Sequence, residues 1–357
     1  NKKAINVLHR ALFPVKEKTA VYCIGSGLVA TAFVSMLKET SLQLNGVINS
    51  RKMLLRASGL NADKVMSALE DKGKEANIDQ FIDVMANDPT PQKICLDCTA
   101  SKDIALKYKN ILGAGVSMVT PNKIANTESM DYYNALRNAA FDKQVKYRYE
   151  STVGAGLPVI STLQSMLETG DKINRIEAIL SGTLSFIFNT FSLDKRFSDT
   201  VKFAKEQGYT EPDPREDLGG TDVARKALIL SREIGYELEM SDSVPEALIS
   251  DACANAESVD EAMALLTQDD QAWHERLQRL EKENKVLRYI ANISDNKIKI
   301  SVEEIGQDHP FFNLSGPDNI VAIYSERYPI NPLVIKGAGA GAVVTASGMM
   351  GDVLRII

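Results

Sequence analysis

The sequence predicts an α/β protein in two parts: a doubly wound parallel sheet, then an α+β part with a mixed sheet. Three observations carry that expectation. Up to about residue 150, short apolar runs alternate with helical patterns, an order that lays strands parallel and puts helices on the sheet faces. A glycine-rich turn joins the first apolar run to the first of those helices. Beyond it, the alternation gives way to a charged helical stretch and a hairpin pattern.

Composition bounds the classes. A chain of 357 residues allows about two domains, and 44% hydrophobic with 25% charged residues is ordinary for a globular protein. A net charge of -6 argues against a general nucleic-acid binder, which would present a basic face. No apolar run reaches the ~18 residues that span a bilayer, and no signal peptide is visible, so no membrane partner is expected. Four cysteines are too few for a disulfide framework in this length. Cys95 and Cys98 form a CxxC within a strand-like run with no second Cys or His pair nearby. Buried thiols are expected there, rather than a zinc or redox site. The chain reads as cytoplasmic, or from another reducing compartment.

Residues 1–14 carry a short helical stripe (Ala4, Val7, Leu8, Ala11, Leu12) that Pro14 stops. Such a stripe cannot bury itself alone, so it reads as the remnant of a preceding domain or as a linker. Residues 15–149 read as a nucleotide-binding domain. TAVYCIG (19–25) is a buried strand, and Gly25, Ser26, Gly27, Leu28, Val29 and Ala30 follow as G-x-G-x-x-A. Gly25 permits the tight turn, Gly27 lets backbone approach a pyrophosphate, and a small residue at Ala30 lets helix and strand pack closely. The helix start offers free N–H groups and partial positive charge to the phosphates. Between a strand and a helix this pattern marks a Rossmann-type cofactor site.

The next strand, LQLNGVIN, ends at Asn49. A NAD site usually places an acid here for the ribose 2′-hydroxyl. Asn49, Ser50 and Arg51 suit a 2′-phosphate instead, so NADP is favoured and NAD is the alternative. A solvated loop with surface charges also explains them. KICLDCT (93–99) and GVSMVTPN (115–122) are further strands. Ligands of such sheets lie beyond the strand C-termini, which brings Thr99, Ala100, Ser101 and Lys123 forward as candidates.

Residues 150–336 read as a substrate-binding, catalytic and dimerisation domain. VKYRYEST is a strand that breaks into VGAGLPV, and LPVISTLQSMLETG is a helix with Pro158 in its first turn. Around Ser181, Gly182 and Thr183 a strand passes into a helix, with room for a ligand or simply a tight turn. FSDTVKFAKEQGY reads as a helix capped by Ser198. Residues 211–220 hold Glu211, Asp213, Glu216 and Asp217 among prolines and glycines, and read as irregular. Thr221 then caps the helix TDVARKALILSREIG, on which Asp222 and Lys226 share a face. As a surface ion pair they contribute at most ~0.5 kcal/mol. As a functional pair they project a carboxylate and an ammonium from a rigid helix. Residues 243–285 read as a solvated helical layer. VLRYIANI and KIKISVEEI form a hairpin turning at Ser294, Asp295 and Asn296, and NIVAIYS is a further strand. Residues 337–357 are glycine-rich, then helical. They are expected to return to the nucleotide domain, with Gly341 bringing backbone near the cofactor.

Five runs carry a family resemblance: VTPNKIANTESMDYY, ESTVGAGLPVISTL, LSGTLSFIFN, GYTEPDPREDLGGTDVARKALIL and KGAGAGAVVTASG. With them the chain resembles homoserine dehydrogenase over nearly its whole length. The opening NKKAINVLHRALF is similar to the end of a regulatory ACT domain of an aspartokinase, which implies a fused aspartokinase. The resemblance implies reversible NAD(P)H-dependent reduction of L-aspartate 4-semialdehyde to L-homoserine, on the route to threonine, methionine and isoleucine. It implies Lys226 as proton donor and Lys123 as its assistant at the junction of cofactor and substrate. Glu211 and Asp222 would hold the substrate ammonium, Asp217 would support them, and Gly182 and Thr183 would line the pocket. Glu150 and the carbonyls of Val153, Ala155 and Leu157 would bind sodium or another monovalent cation. A homodimer is implied, and a plastid location if the source is a plant.

The residue chemistry agrees. A carbonyl that receives hydride becomes an alkoxide and needs a proton-bearing cation close by. Lysine supplies both, and a carboxylate four residues away can orient it and tune it. Two rival readings stand beside this one. Aldehyde oxidation through a thioester would need an activated cysteine, and Cys98 is the only candidate. A catalytically inactive NAD(P)-binding regulatory or interaction module would have no use for Lys226, Asp222 and Glu211 together. His309 resembles a family position near the pocket but reads as structural.

Overall fold

The computed structural model describes residues 18–357, so the helical stripe at 1–14 lies outside the described residues. Two compact units are present. One takes the residues up to Asn122, Ala135–Arg148 and Met349–Ile357; the other takes Lys123–Asn134 and Tyr149–Gly348.

In the first unit the apolar runs form β1 (Thr19–Ile24), β2 (Leu42–Ile48), β3 (Lys52–Leu55), β4 (Lys74–Glu75), β5 (Gln92–Asp97), β6 (Ser117–Val119) and β7 (Tyr147–Arg148). They line up as β4-β3-β2-β1-β5-β6-β7. Strands β2 through β7 on that path pair in parallel, while β3 and β4 add an antiparallel edge. Central β1 is buried at every position, which is why TAVYCI has no polar alternation. Close packing also fixes Gly46 in β2. A Cβ there would fall within 2.9 Å of the Leu55, Tyr22 and Phe81 side chains. Chain order reverses at β1, whose neighbours are β2 and β5. That switch point opens a crevice at the strand C-termini.

The second unit holds β8 (Ile173–Ile179), β9 (Val286–Ser294), β10 (Lys297–Ile305), β11 (Asp318–Ser325) and β12 (Leu333–Ala338), in the order β10-β9-β8-β11-β12. Every ladder here is antiparallel, which corrects the expected mixed sheet. The physical reason is the hairpin connection. Asp295 and Asn296 both take positive φ, 51° and 56°, as a two-residue turn between antiparallel strands requires. An isolated bridge between Pro245 and Ile300 is the parallel contact. Ile179, Ile290, Phe311, Ile320 and Ala322 build a core cluster on this sheet. The helices Gly182–Thr190 and Thr221–Glu233 pack against β9.

Local structure corrects four expectations. The strand read in VKYRYEST shrinks to β7, and a single turn, Glu150–Thr152, follows. Ser198 lies inside the helix Phe197–Glu206 instead of capping it, because the Asp270 carboxylate takes both its amide and its hydroxyl, at 2.7 and 2.6 Å. Residues 211–220 are not wholly irregular. Asp213 caps a short helix, Pro214–Leu218, whose first residue is proline. Thr221 does not cap the next helix. Gly220 precedes it in the left-handed region, φ 68°, and Thr221 is the first helical residue.

Gly220 therefore sets where that helix starts. A Cβ there would lie 2.5 Å from the Tyr289 hydroxyl and 2.9 Å from Pro245. Gly220→Ala is expected to lower unfolding free energy by about 1–3 kcal/mol through φ strain and overlap. A denaturation midpoint equal to wild type would contradict this.

Candidate active site

In the second unit three predicted residues come together. The helix Thr221–Glu233 carries Asp222 and Lys226 one turn apart, and Lys123 stands at the start of the short helix Ile124–Thr127. Lys226 Nζ is 2.7 Å from Asp222 Oδ2, and Lys123 Nζ is 3.2 Å from Asp222 Oδ1. One carboxylate thus bridges two ammonium groups and leaves the cluster with a single excess positive charge. Lys226 is buried apart from 9% of its surface, and it donates to the Leu180 carbonyl at 2.7 Å. Leu180 is a contact invisible in the sequence, because a backbone carbonyl carries no residue signature.

Electrostatics follow from this arrangement. Burial would raise the Asp222 carboxyl, but the Lys226 and Lys123 charges override it and hold it well below the usual carboxylate range. Burial pushes the Lys123 ammonium down, against the pull of Asp222, and the neighbouring Lys226 charge pushes the same way. A lysine at such a site is easier to deprotonate than one in water.

The acidic loop folds beside it. The Glu211 amide donates to Asp217 Oδ2 at 2.8 Å, and the neighbouring Thr183 hydroxyl donates to the Tyr209 carbonyl at 2.6 Å. Burial raises Asp217, and the nearby Asp222 and Glu216 charges add to the rise. The Glu211 side chain faces solvent. Ser181 caps the helix Gly182–Thr190, and a Cβ at Gly182 would meet the Pro317 carbonyl at 3.0 Å, so Gly182 permits a tight turn on the protein side as well.

The loop expected to bind a cation has its own geometry. Both oxygens of buried Glu150 accept amides at the start of the helix Val159–Glu168, Ile160 at 2.7 Å and Ser161 at 3.0 Å. Gly154 and Ala155 both take positive φ, 75° and 54°. For alanine that conformation is strained, and it turns successive carbonyls in different directions. The Leu157 carbonyl accepts the Val159 amide at 2.9 Å. A carboxylate and backbone carbonyls are hard-oxygen donors, and here both Glu150 oxygens and the Leu157 carbonyl accept amides of the protein itself.

The first unit holds a cleft of about 580 Å³ at the C-termini of β1, β2 and β5. Gly25, Ser26, Gly27, Asn49, Ser50 and residues 99–101 line it. Gly25 is forced by the protein itself: φ is 108°, and a Cβ would meet the Cys98 carbonyl at 3.2 Å. Gly27 is different. A Cβ there meets no protein atom within 4 Å, so the space in front of it is open for a ligand. Ala30 is fully buried, as close helix packing demands, while Leu28 is exposed and Val29 half-buried in the first turn. Gly341, φ 115°, belongs to the second unit and is not among the cleft residues.

Asn49 organises the rim. It donates to Ser26 Oγ at 3.1 Å and accepts the amides of Arg51 and Lys52 at 2.9 and 2.7 Å. Arg51 is exposed and 3.8 Å from Glu70, an acid that sequence reading passed over. Asp97 was missed too, although a charge inside the apolar run KICLDCT was a signal. It is fully buried at the end of β5 and accepts the Thr99 amide at 2.8 Å and Asn122 Nδ2 at 3.1 Å. The Tyr108 hydroxyl bonds it as well, and Asn122 Nδ2 also reaches the Ser101 carbonyl. This buried network fixes the 99–101 turn. Burial raises the Asp97 carboxyl despite those bonds.

Cys98 lies one residue past β5 and is half-buried, a correction to its expected place inside a strand. The contact with Cys23 and burial push its thiol well up, which disfavours a nucleophilic thiolate. His309 Nε2 pairs with Glu177 at 3.0 Å beside Phe311, in keeping with a structural part.

A glycine-cradled crevice on a parallel sheet and a lysine–carboxylate cluster are features of the class of dinucleotide-dependent oxidoreductases. Comparisons with known proteins make the class specific. Residues 158–354 match the family profile "Homoserine dehydrogenase", and residues 25–150 match "Homoserine dehydrogenase, NAD binding domain". A bifunctional aspartokinase/homoserine dehydrogenase from Zea mays is 42% identical over 99% of the chain and 40% of its own length. A homoserine dehydrogenase from Saccharomyces cerevisiae is 39% identical over 94% of the chain and 97% of its own length. A crystal structure of a Candida auris protein of unknown function superposes with a TM-score of 0.90 at 35% identity, covering 95% of this chain and 98% of that one. The chain therefore belongs to the homoserine dehydrogenase family. It spans about 40% of the length of its bifunctional relatives.

Two outcomes are expected. Gly27→Val should leave thermal unfolding close to wild type and abolish nicotinamide-cofactor binding by calorimetry, whereas retained binding would contradict the cradle. The second concerns pH. The Asp222 carboxyl is depressed in the folded protein, so the folded state binds fewer protons than the unfolded state between the two pKa values. Its stabilisation is present above the unfolded value of about 4 and is lost as pH falls below it. The stability gap between wild type and Asp222→Asn should shrink below pH ~4. A gap independent of pH would contradict the coupling.

Proposed function

We propose that the chain catalyses the reversible interconversion of L-homoserine and L-aspartate 4-semialdehyde with NADP, NAD being the weaker cofactor. The observation that carries the reading is the pair of lysines held by one carboxylate, in a chain of this family. The nicotinamide supplies or accepts the hydride when bound. The chain's own residues do the rest. Lys226 presents an ammonium that donates a proton to the substrate oxygen during reduction and takes it back during oxidation. Asp222 orients it from 2.7 Å. Lys123 shares that carboxylate and adds positive charge where an alkoxide develops.

Both oxygens of Asp222 are engaged with lysines, so the substrate ammonium falls chiefly to solvent-facing Glu211, with Asp222 sharing and Asp217 bracing the loop. Gly182 and Thr183 line the substrate side. The cofactor would lie along residues 25–30, with Asn49, Ser50 and Arg51 at the ribose and residues 99–101 nearer the ring. Lys123 and Gly341 complete that assignment. Arg51 and Ser50 support NADP, since both are exposed at the rim and suit a phosphate. Glu150 with the carbonyls of Val153, Ala155 and Leu157 would hold a sodium ion that fixes this loop.

The 99% alignment with bifunctional relatives supports an aspartokinase on the same polypeptide. Exposed Tyr328, Ile330 and Val334 near β12 support a homodimer, read out as twice the chain mass by light scattering. Among the described residues no helix is long and apolar enough to cross a membrane, and we place the protein in the cytoplasm, or in a plastid for a plant source.

The test is direct. Protein, L-homoserine and NADP should give reduced nicotinamide at 340 nm, more efficiently than with NAD. No homoserine-dependent signal with either cofactor overturns the reading. Arg51→Ala should lower kcat/KM for NADP by about 10-fold or more and leave NAD nearly unchanged, in line with loss of a charge-assisted phosphate contact. Equal effects on both cofactors would place Arg51 elsewhere.

A further inference from the structure

The Leu180 carbonyl that receives Lys226 has a second donor. Asn319, on β11, is fully buried, and its Nδ2 lies 3.2 Å from the Leu180 oxygen. Asn319 Oδ1 is equally buried and has no hydrogen-bond partner. Rotating the amide by half a turn would set Oδ1 against the carbonyl oxygen, a repulsive contact. The orientation is therefore dictated by Leu180, and it leaves one polar atom unsatisfied. Gly339 walls the amide on one side. A Cβ at Gly339 would overlap it.

Leu180 itself needs such a restraint. It follows the last residue of β8 and precedes Ser181, which caps the helix Gly182–Thr190. Ladder pairing ends one residue earlier, at Ile179 with Ile320. The carbonyl thus sits between two regular elements, where its direction is not set by β8 pairing. A buried side-chain donor from the neighbouring strand supplies what the ladder does not.

We propose that Asn319 is a positioning residue for Lys226, acting through the Leu180 carbonyl. A lysine ammonium has three donors. Asp222 and Leu180 take two of them, which aims the third. With the carbonyl free to turn, Lys226 keeps its pairing with Asp222 but loses one of the two anchors that fix its direction. The proposal rests on the dehydrogenase reading given above, in which Lys226 transfers the proton.

The experiment compares Asn319→Leu, which keeps the branched side-chain shape and removes the donor, with Asn319→Ala, in the full chain. Both should lower kcat by about 10-fold or more with KM for homoserine changed less than about 3-fold, because the interaction matters at proton transfer. The solvent deuterium isotope effect on kcat should rise in both, and NADP affinity should stay at the wild-type value. A kcat restored by leucine but not by alanine would reduce Asn319 to a packing residue and overturn the proposal. Unchanged kcat and isotope effect in both would do the same. Where neither variant folds, Gly339→Ala keeps the donor but displaces it. A fall in kcat with a raised isotope effect supports the proposal, and wild-type values for both overturn it. Failure of the underlying reading looks different: wild type shows no homoserine-dependent signal, or Lys226→Ala turns over normally. The positioning proposal fails alone when Lys226→Ala is inactive and the Asn319 variants match wild type.

Discussion

One carboxylate held between two lysines is the constraint on which the second unit is organised. Asp222 lies 2.7 Å from Lys226 and 3.2 Å from Lys123, and without it two ammonium groups would face each other in a half-buried place. Their repulsion would drive one to deprotonate or both apart. Much of the surrounding structure serves to keep these three groups in place. Gly220 starts the helix where it does, Tyr289 and Pro245 press against that start, and Leu180 closes the second anchor of Lys226. The pair is worth little as a stabilising salt bridge, since Asp222 is half-exposed. Under the proposed function its value is in direction: an ammonium that points one way at a developing alkoxide would need no reorganisation at the moment of reaction.

The first unit has a comparable constraint at its cleft. Its cleft depends on two glycines that differ in kind. Gly25 is required by the fold, because its φ of 108° and the nearby Cys98 carbonyl exclude a side chain. Gly27 is required by nothing in the protein, since the space before it is open. Behind them, buried Asp97 ties Thr99, Tyr108 and Asn122 together, so the turn opposite the glycines is as fixed as the turn that holds them.

Much of this was legible in the sequence, and the exceptions have physical causes. The parallel sheet showed itself through uninterrupted strands such as TAVYCI, and the cofactor cradle through G-x-G-x-x-A. Asp222 and Lys226 were visible as a helical pair, but spacing alone could not separate a functional pair from a surface one. That distinction depends on Lys123, about a hundred residues away in sequence, and on burial. The antiparallel order of the second sheet was hidden because strand pairing is set by which hairpins close, not by strand composition. Helix starts were misread where a tertiary contact outbid a local cap: Asp270 claims Ser198, and the left-handed Gly220 displaces Thr221. The Leu180 carbonyl and the Asn319 amide could not be foreseen, because a backbone acceptor and a lone buried asparagine leave no pattern.

The central claim is that the Lys226 amine moves the proton. It is tested most directly by chemical rescue of Lys226→Ala with small primary amines. NADP binding should survive the substitution, turnover should be lost, and ethylammonium should restore homoserine oxidation in a saturable way that follows the amine's basicity. Turnover of Lys226→Ala at the wild-type rate in the absence of any added amine would contradict it.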